Sequence, residues 1–284
     1  MRILAVIFLL TSCSSLHLVN DGKTGSYTFT GPALSKDKPV KVHYFIPSGV
    51  NEKSRVFFTM HGVNRNAKKY LDAWIEYAEK ENMVLVAPEF SKDFYKGSNL
   101  YNLGNMKSVA ETTSKKPMWT FHIIDRIFED VKVKFNIQTT SYDIYGHSAG
   151  AQFVHRLVMY CPNAKIHRAY AANAGWYSFP TNESFPYGMG ARYSKNLLTS
   201  AFSKNLYILL GDKDVNPASK RMRNTDQAEE QGENRFERGK NFLETARNIA
   251  QSMDIDFKWK LRIIPNTAHN NQKIATYIAN LDKL

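Results

Sequence analysis

Three side chains stand far apart along the chain yet suit one reaction. Ser148 lies in "YGHSAGAQ", where Gly146, Ser148 and Gly150 spell G-x-S-x-G. The residues before it, "SYDIY", read as a strand, and those after it, "AQFVHRLVMY", as a helix. A strand that runs straight into a helix holds the residue between them on a tight, strained turn with its side chain pushed outward. The neighbours must then be small, because a Cβ would collide with the crossing backbone. A serine hydroxyl presented in this way attacks a carbonyl carbon if a base takes its proton, an acid orients the base and amide donors hold the oxyanion.

Candidates for the base and the acid lie downstream. "LLGDKDVNP" places Asp212 and Asp214 at the end of an apolar run, and "RIIPNTAHNN" places His269 just beyond the last strand, with no later histidine. The order is nucleophile, acid, histidine, each just after a strand, and active groups of open α/β sheets gather at the carboxyl ends of the strands. Asp212 follows Gly211 directly and is expected to cap the turn through its own backbone. Asp214, further into the loop, is expected to reach the histidine. The oxyanion donors are expected at the amide of Ala149 and, in "MHGVNRN", at the amide of Val63, next to His61 and Gly62. Trp176 and Tyr177 of "GWYSFP" are candidates to line the acyl pocket together with His61, with core packing the alternative for the aromatic pair. His147 and His155 are read as packing residues. The eight histidines show no H-E-x-x-H or comparable spacing, so no metal site is expected.

These residues need a sheet to position them. "SYTFTG", "KVHYFIP", "RVFFTM", "MVLVAP", "YDIY", "HRAYAANAG", "NLYILLG" and "FKWKLRII" read as strands. Helices are predicted from about Ala67 to Glu81, over "WTFHIIDRIFEDVKVKF", after Ser148, over "RGKNFLETARNIAQSM" and after Asn271. Strands alternating with helices predict a mainly parallel sheet covered on both faces. Two polar stretches, 91–118 and 212–238, far exceed the usual loop of about 4–6 residues, and such loops are commonly lids or binding segments.

Composition bounds the rest. The 284 residues are 43% hydrophobic and 23% charged, as expected of a globular chain with a sizeable core. No internal repeat appears, and a single domain is predicted over 26–284. The formal charge of +12 comes from scattered lysines and arginines with no zinc-finger, RNA-binding or basic-heptad pattern, so nucleic acid is not an expected partner. A basic surface on an exported protein would meet anionic lipid headgroups or acidic glycans.

The start of the chain predicts export. Arg2, an apolar run from Ile3 to Leu10 and then small residues outline a secretory signal, too short to span a bilayer. "LTSC", Leu10 to Cys13, resembles the lipobox of bacterial lipoproteins. That resemblance implies a signal peptide over 1–12, acylation of Cys13, a tether over 13–25 and anchoring in the bacterial envelope, with Ser14 favouring the outer membrane. The remaining cysteine, Cys161, is read as a buried small hydrophobe.

From about Val42 onward the sequence resembles the α/β-hydrolase superfamily, nearest the polyhydroxybutyrate-depolymerase-like esterases. "HGVNRN", "GHSAGA", "NAGWYSFP", "GDKDVNP" and "NTAHN" carry the resemblance. It implies a serine hydrolase without metal or organic cofactor, and its Gly-x-x-Asp spacing, counted from Gly211, points to Asp214 as the acid. Two departures are Asn266-Thr267-Ala268 before the histidine, where glycines are usual, and an oxyanion loop without a glycine run. The expected reaction is hydrolysis of carboxylic esters through an acyl-enzyme on Ser148. A serine peptidase of the same fold and a lipid-anchored, non-catalytic binding protein are the alternatives.

Overall fold

The computed structural model describes residues 22–31, 38–106, 119–219 and 221–281. The signal segment and Cys13 lie outside the described residues. Eight strands form one sheet: β1 (Lys23–Phe29), β2 (Val40–Ile46), β3 (Arg55–Met60), β4 (Met83–Glu89), β5 (Tyr142–His147), β6 (Ile166–Ala172), β7 (Asn205–Gly211) and β8 (Lys260–Ile264). Their spatial order is β1-β2-β4-β3-β5-β6-β7-β8. The β1/β2 and β2/β4 pairs are antiparallel, and every pair from β4/β3 to β7/β8 is parallel. The fold is of the α/β-hydrolase type.

Helices α1 (Ala67–Asp72), α2 (Ile75–Lys80), α3 (His122–Phe135), α4 (Ala149–Tyr160), α5 (Lys195–Phe202), α6 (Asp226–Glu229), α7 (Arg235–Ser252) and α8 (Asn271–Leu281) flank the sheet. The central strands β3 to β5 are largely buried and mostly apolar because each face packs on helices. Alternation within β3 shows it: Phe58 joins Phe153 of α4 and Phe242 of α7 in one core, while Phe57 joins Trp74 and Ile274 of α8 in the other. Among the described residues, no helix is long and apolar enough to cross a membrane.

Four local expectations need correction. β1 starts at Lys23, inside the stretch expected to be tether, because its residues 23–29 pair in unbroken register with β2. The helix expected from Ala67 to Glu81 is two short helices, with buried Trp74 between them at φ −119° and ψ −2°. That break drops the indole between Phe57 and Tyr145, with ring centroids at 4.6 and 4.9 Å. Helix α5 was not expected, although Ser194 caps it by accepting a bond from the Leu197 amide. The stretch 212–238 is not one loop, since it contains α6 and the first turn of α7.

Candidate active site

Ser148 is the single residue between the end of β5 and the start of α4. Its φ of 59° and ψ of −116° lie where non-glycine residues are rarely held, and such strain concentrates at functional sites. Two glycines make the turn possible. A Cβ on Gly146 would stand 2.3 Å from the Gly150 carbonyl oxygen, and one on Gly150 would stand 2.1 Å from the Met60 carbonyl oxygen. The first lets the helix fold back over the strand, and the second lets it press against the end of β3. The Ser148 amide is tied to the Ala172 carbonyl at 2.9 Å, which anchors the turn to β6.

The loop after β7 brings Asp214 to His269. Asp214 Oδ2 accepts a 2.7 Å bond from His269 Nδ1, and its Oδ1 accepts a 3.1 Å bond from Arg235 Nη1. A carboxylate only accepts, so the imidazole proton sits on Nδ1 and leaves Nε2 with a free lone pair. Asp214 and Arg235 are both buried, so this ion pair is shielded from solvent. Arg235 is also held by Ser219 Oγ at 3.2 Å. Nothing in the spacing of Arg235, on the first turn of α7, signals its link to Asp214, and sequence reasoning missed it.

The histidine segment is held close to β7. A Cβ on Gly211 would stand 2.2 Å from the Thr267 carbonyl oxygen, so glycine is required there. The Lys213 amide donates to that same carbonyl at 2.9 Å. Asp212 Oδ1 accepts from the Thr267 amide at 3.2 Å, so Asp212 braces the His269 segment rather than its own turn. Asn173, at φ 46°, bonds the Gly211 amide through Oδ1 at 2.9 Å and the Ala268 carbonyl through Nδ2 at 3.3 Å. It joins the ends of β6 and β7 to the histidine segment, a second role that sequence reasoning missed.

Two cavities meet at Ser148. One of about 370 Å³ is lined by Val63, Tyr70, His147, Ser148 and His269. The other, of about 980 Å³, is lined by Val63, Ser148, Ala149 and Trp176. Both residues expected to supply oxyanion amides thus border the serine. Parts of both long polar stretches wall the larger cavity, including Lys96, Tyr101, Met222 and Arg223. The first stretch is pinned by Tyr101, whose hydroxyl donates to the His61 carbonyl at 2.7 Å, and by Arg65, which donates to the Tyr95 and Gly97 carbonyls.

Two pocket expectations are overturned. His61 is fully buried and lines neither cavity. Its Nδ1–H donates to the Gly62 carbonyl at 3.0 Å, and its Nε2 accepts from the Phe90 amide at 3.1 Å. Desolvation lowers its pKa to about 3, so it stays neutral and rivets the Val63 loop to the end of β4. Tyr177 belongs to the core, stacked on Phe242 at 4.5 Å and beside His155 at 5.0 Å. Trp176 does line the larger cavity.

His155 is structural: Nδ1–H donates to the Ala151 carbonyl at 2.9 Å, and Nε2 accepts from the Ser178 amide at 3.2 Å. His147 is buried with Nδ1 3.3 Å from the Tyr70 hydroxyl, and its ring lies 4.4 Å from that of His269. Burial pushes the pKa of both His147 and His155 well below the usual value. Cys161 is buried, and desolvation raises its thiol pKa, so it packs as an uncharged small side chain.

No family model matches the chain, and neither does any curated protein. Solved structures do. The poly(aspartic acid) hydrolase-1 from Sphingomonas sp. KT-1 is 38% identical with a TM-score of 0.87, over 92% of this chain and 99% of that one. The poly(3-hydroxybutyrate) depolymerase LpqC from Bordetella parapertussis is 29% identical with a TM-score of 0.85, over 92% of this chain and 89% of that one. An S-formylglutathione hydrolase from Agrobacterium tumefaciens shares the fold alone, at 15% identity and a TM-score of 0.61, over 91% of this chain and 92% of that one. With that identity to poly(aspartic acid) hydrolase-1 over nearly its whole length, the chain belongs to the same family of α/β-hydrolases.

Proposed function

We propose that the chain is a serine hydrolase that cleaves carboxylic esters through an acyl-enzyme on Ser148. The observation that carries this reading is the 2.7 Å bond from His269 to Asp214, at the rim of a cleft that Ser148 also lines. His269 Nε2 takes the proton of Ser148 Oγ as the oxygen bonds to the ester carbonyl carbon. The resulting oxyanion is held by the amides of Val63 and Ala149, and Asp214 steadies the imidazolium. Collapse breaks the bond to the alcohol oxygen, which leaves with the proton from His269. Water, deprotonated by His269, then attacks the acyl-enzyme and frees Ser148 and the acid. No cofactor enters these steps.

A second reading is amide cleavage by the same groups. Poly(aspartic acid) hydrolase-1 is named for a polyamide that carries carboxylates. Arginines and lysines on the wall of the larger cavity suit an acidic chain.

The anchor remains part of the proposal. Export through the signal over 1–12, acylation of Cys13 and attachment to the bacterial envelope rest on "LTSC". Intact-mass analysis of membrane-extracted protein should find a mature chain that begins with acylated Cys13. An unmodified chain starting beyond it would end the anchor proposal.

Substitution of the serine tests the function. Ser148→Ala should remain folded by circular dichroism and lose ester turnover by a factor of about 10³ or more. Wild-type turnover in that variant would sink the assignment.

A further inference from the structure

The two cavities that meet at Ser148 are built from different side chains, and the catalytic groups divide between them. His269 lines only the smaller one, Ala149 only the larger, while Val63, Ser148 and Arg221 border both. In the collapse step the histidine must stand over the departing atom, whereas the oxyanion donors face the acyl carbonyl. The smaller cavity therefore takes the leaving group and the larger one the acyl part.

Charge follows that division. Among the described residues, those lining the larger cavity include six arginines and lysines and no aspartate or glutamate. Two of the six are already engaged: Arg235 with Asp214, and Arg65 with the Tyr95 and Gly97 carbonyls. Among the described residues, Lys92, Lys96, Arg221 and Arg223 form no ion pair with a carboxylate. The smaller cavity has Lys69 as the one cation that it does not share among those lining it, and carboxamides such as Asn66, Asn270 and Gln272 make up much of its wall.

The wall of the larger cavity is also backed by a buried cation. Arg156 is fully buried and, among the described residues, bonds only to neutral groups: Ser178 Oγ at 2.9 Å, the Asn102 carbonyl at 3.2 Å and the Gln152 carbonyl at 3.0 Å. Its Nη2 has no hydrogen-bond partner among the described residues. The guanidinium lies 4.3 Å from the centroid of the Trp176 ring, and that of Arg223 lies 4.8 Å from the same ring. Arg223 Nε is further fixed on the Tyr187 hydroxyl at 2.5 Å. Burying a cation without a counter-charge is unfavourable, and the fold keeps one here behind the cavity that receives the substrate.

We propose that the larger cavity is a subsite for a carboxylate on the acyl part of the substrate, centred on Arg223 over Trp176 with Lys96 and Arg221 around it. The leaving-group side needs no charge. This rests on the hydrolase reading above and adds to it the position of the charge relative to the scissile bond.

Three esters test the inference, with phenyl hexanoate as the common reference and two others that each add one carboxylate. Phenyl hemiadipate and phenyl hexanoate vary the acyl part. The hexanoates of phenol and of 3-(4-hydroxyphenyl)propanoic acid vary the leaving group. The hemiadipate should be preferred over the hexanoate by about tenfold or more in kcat/KM, the scale of one hydrogen bond to a charged group. That preference should shrink as sodium chloride rises from about 0.05 to about 0.5 M, which shortens the screening length severalfold. The leaving-group pair should agree within about threefold. Arg223→Gln, and separately Lys96→Gln, should each lower kcat/KM for the hemiadipate more than for the hexanoate. Equal turnover of the first pair, or a larger effect of charge on the leaving-group pair, overturns the subsite while the hydrolase reading stands. Turnover of none of the three esters, with no labelling of Ser148 by a fluorophosphonate, overturns the hydrolase reading and the subsite together.

Discussion

Asp212 and Asp214 both bond to the segment that carries His269, but to different parts of it. Asp214 meets the imidazole itself, and Asp212 meets the Thr267 amide two residues earlier. Asp214→Asn replaces an obligate acceptor with a group that can donate to Nδ1 and so favours the wrong tautomer. Turnover should fall by about 10⁴, the loss seen when the orienting carboxylate of a serine-protease triad is changed in this way. Asp212→Asn should instead cost about 1 kcal/mol of stability and leave kcat within about tenfold. Urea titration and kcat measured on both variants separate the two roles, and the opposite ranking in kcat would reassign the acid. The pairing of Asp214 with His269 was legible, because chain order and strand-end placement are local properties of the sequence. Arg235 was not, since its bond to Asp214 spans a turn and a short helix that no spacing rule links.

Elements place these residues through close approaches that only glycine allows. The strand–turn–helix around Ser148 was legible because β5 and α4 have unambiguous apolar patterns and just one residue between them. Where the pattern was right, the continuity of an element was sometimes wrong. The apolar spacing from Ala67 to Glu81 suits one helix, yet seating Trp74 between Phe57 and Tyr145 breaks it in two. Tertiary packing overrode a local signal there. Gly150 offers the sharpest test at this scale. Alanine there would place its Cβ 2.1 Å from the Met60 carbonyl oxygen and force α4 away from the Val63 loop. Gly150→Ala should lose about 1–3 kcal/mol of stability and most of its turnover, since helix and oxyanion loop separate together. Thermal melting and kcat on the purified variant check both, and wild-type values would show that the close approach is dispensable.

Across the whole molecule, the formal charge of +12 conceals an uneven distribution. Six lysines and arginines from remote parts of the chain line one cavity, most of them because two long stretches fold over the same strand ends. Composition gave the excess but had no means of giving its address. Burial sets a second global property. His61, His147 and His155 are all held neutral by desolvation, with His61 lowered to about 3 and the other two well below the usual histidine value. The unfolded chain takes up these protons near pH 6.5 while the folded chain does not, so stability should fall as pH drops below about 6.5. Each histidine contributes a slope of about 1.4 kcal/mol per pH unit, and urea titrations between about pH 7.5 and 5 should reveal the combined loss. A flat profile over that range would show that none of the three rings is held neutral in the folded state. Every role assigned to the other residues of the site depends on Ser148 as the nucleophile. The most direct measurement is to treat the folded protein with a fluorophosphonate and locate the adduct by peptide mass spectrometry. One adduct is expected, on Ser148, absent from Ser148→Ala and suppressed in Asp214→Asn. An adduct on another residue, or ester turnover by a protein that takes up no label, would contradict that assignment.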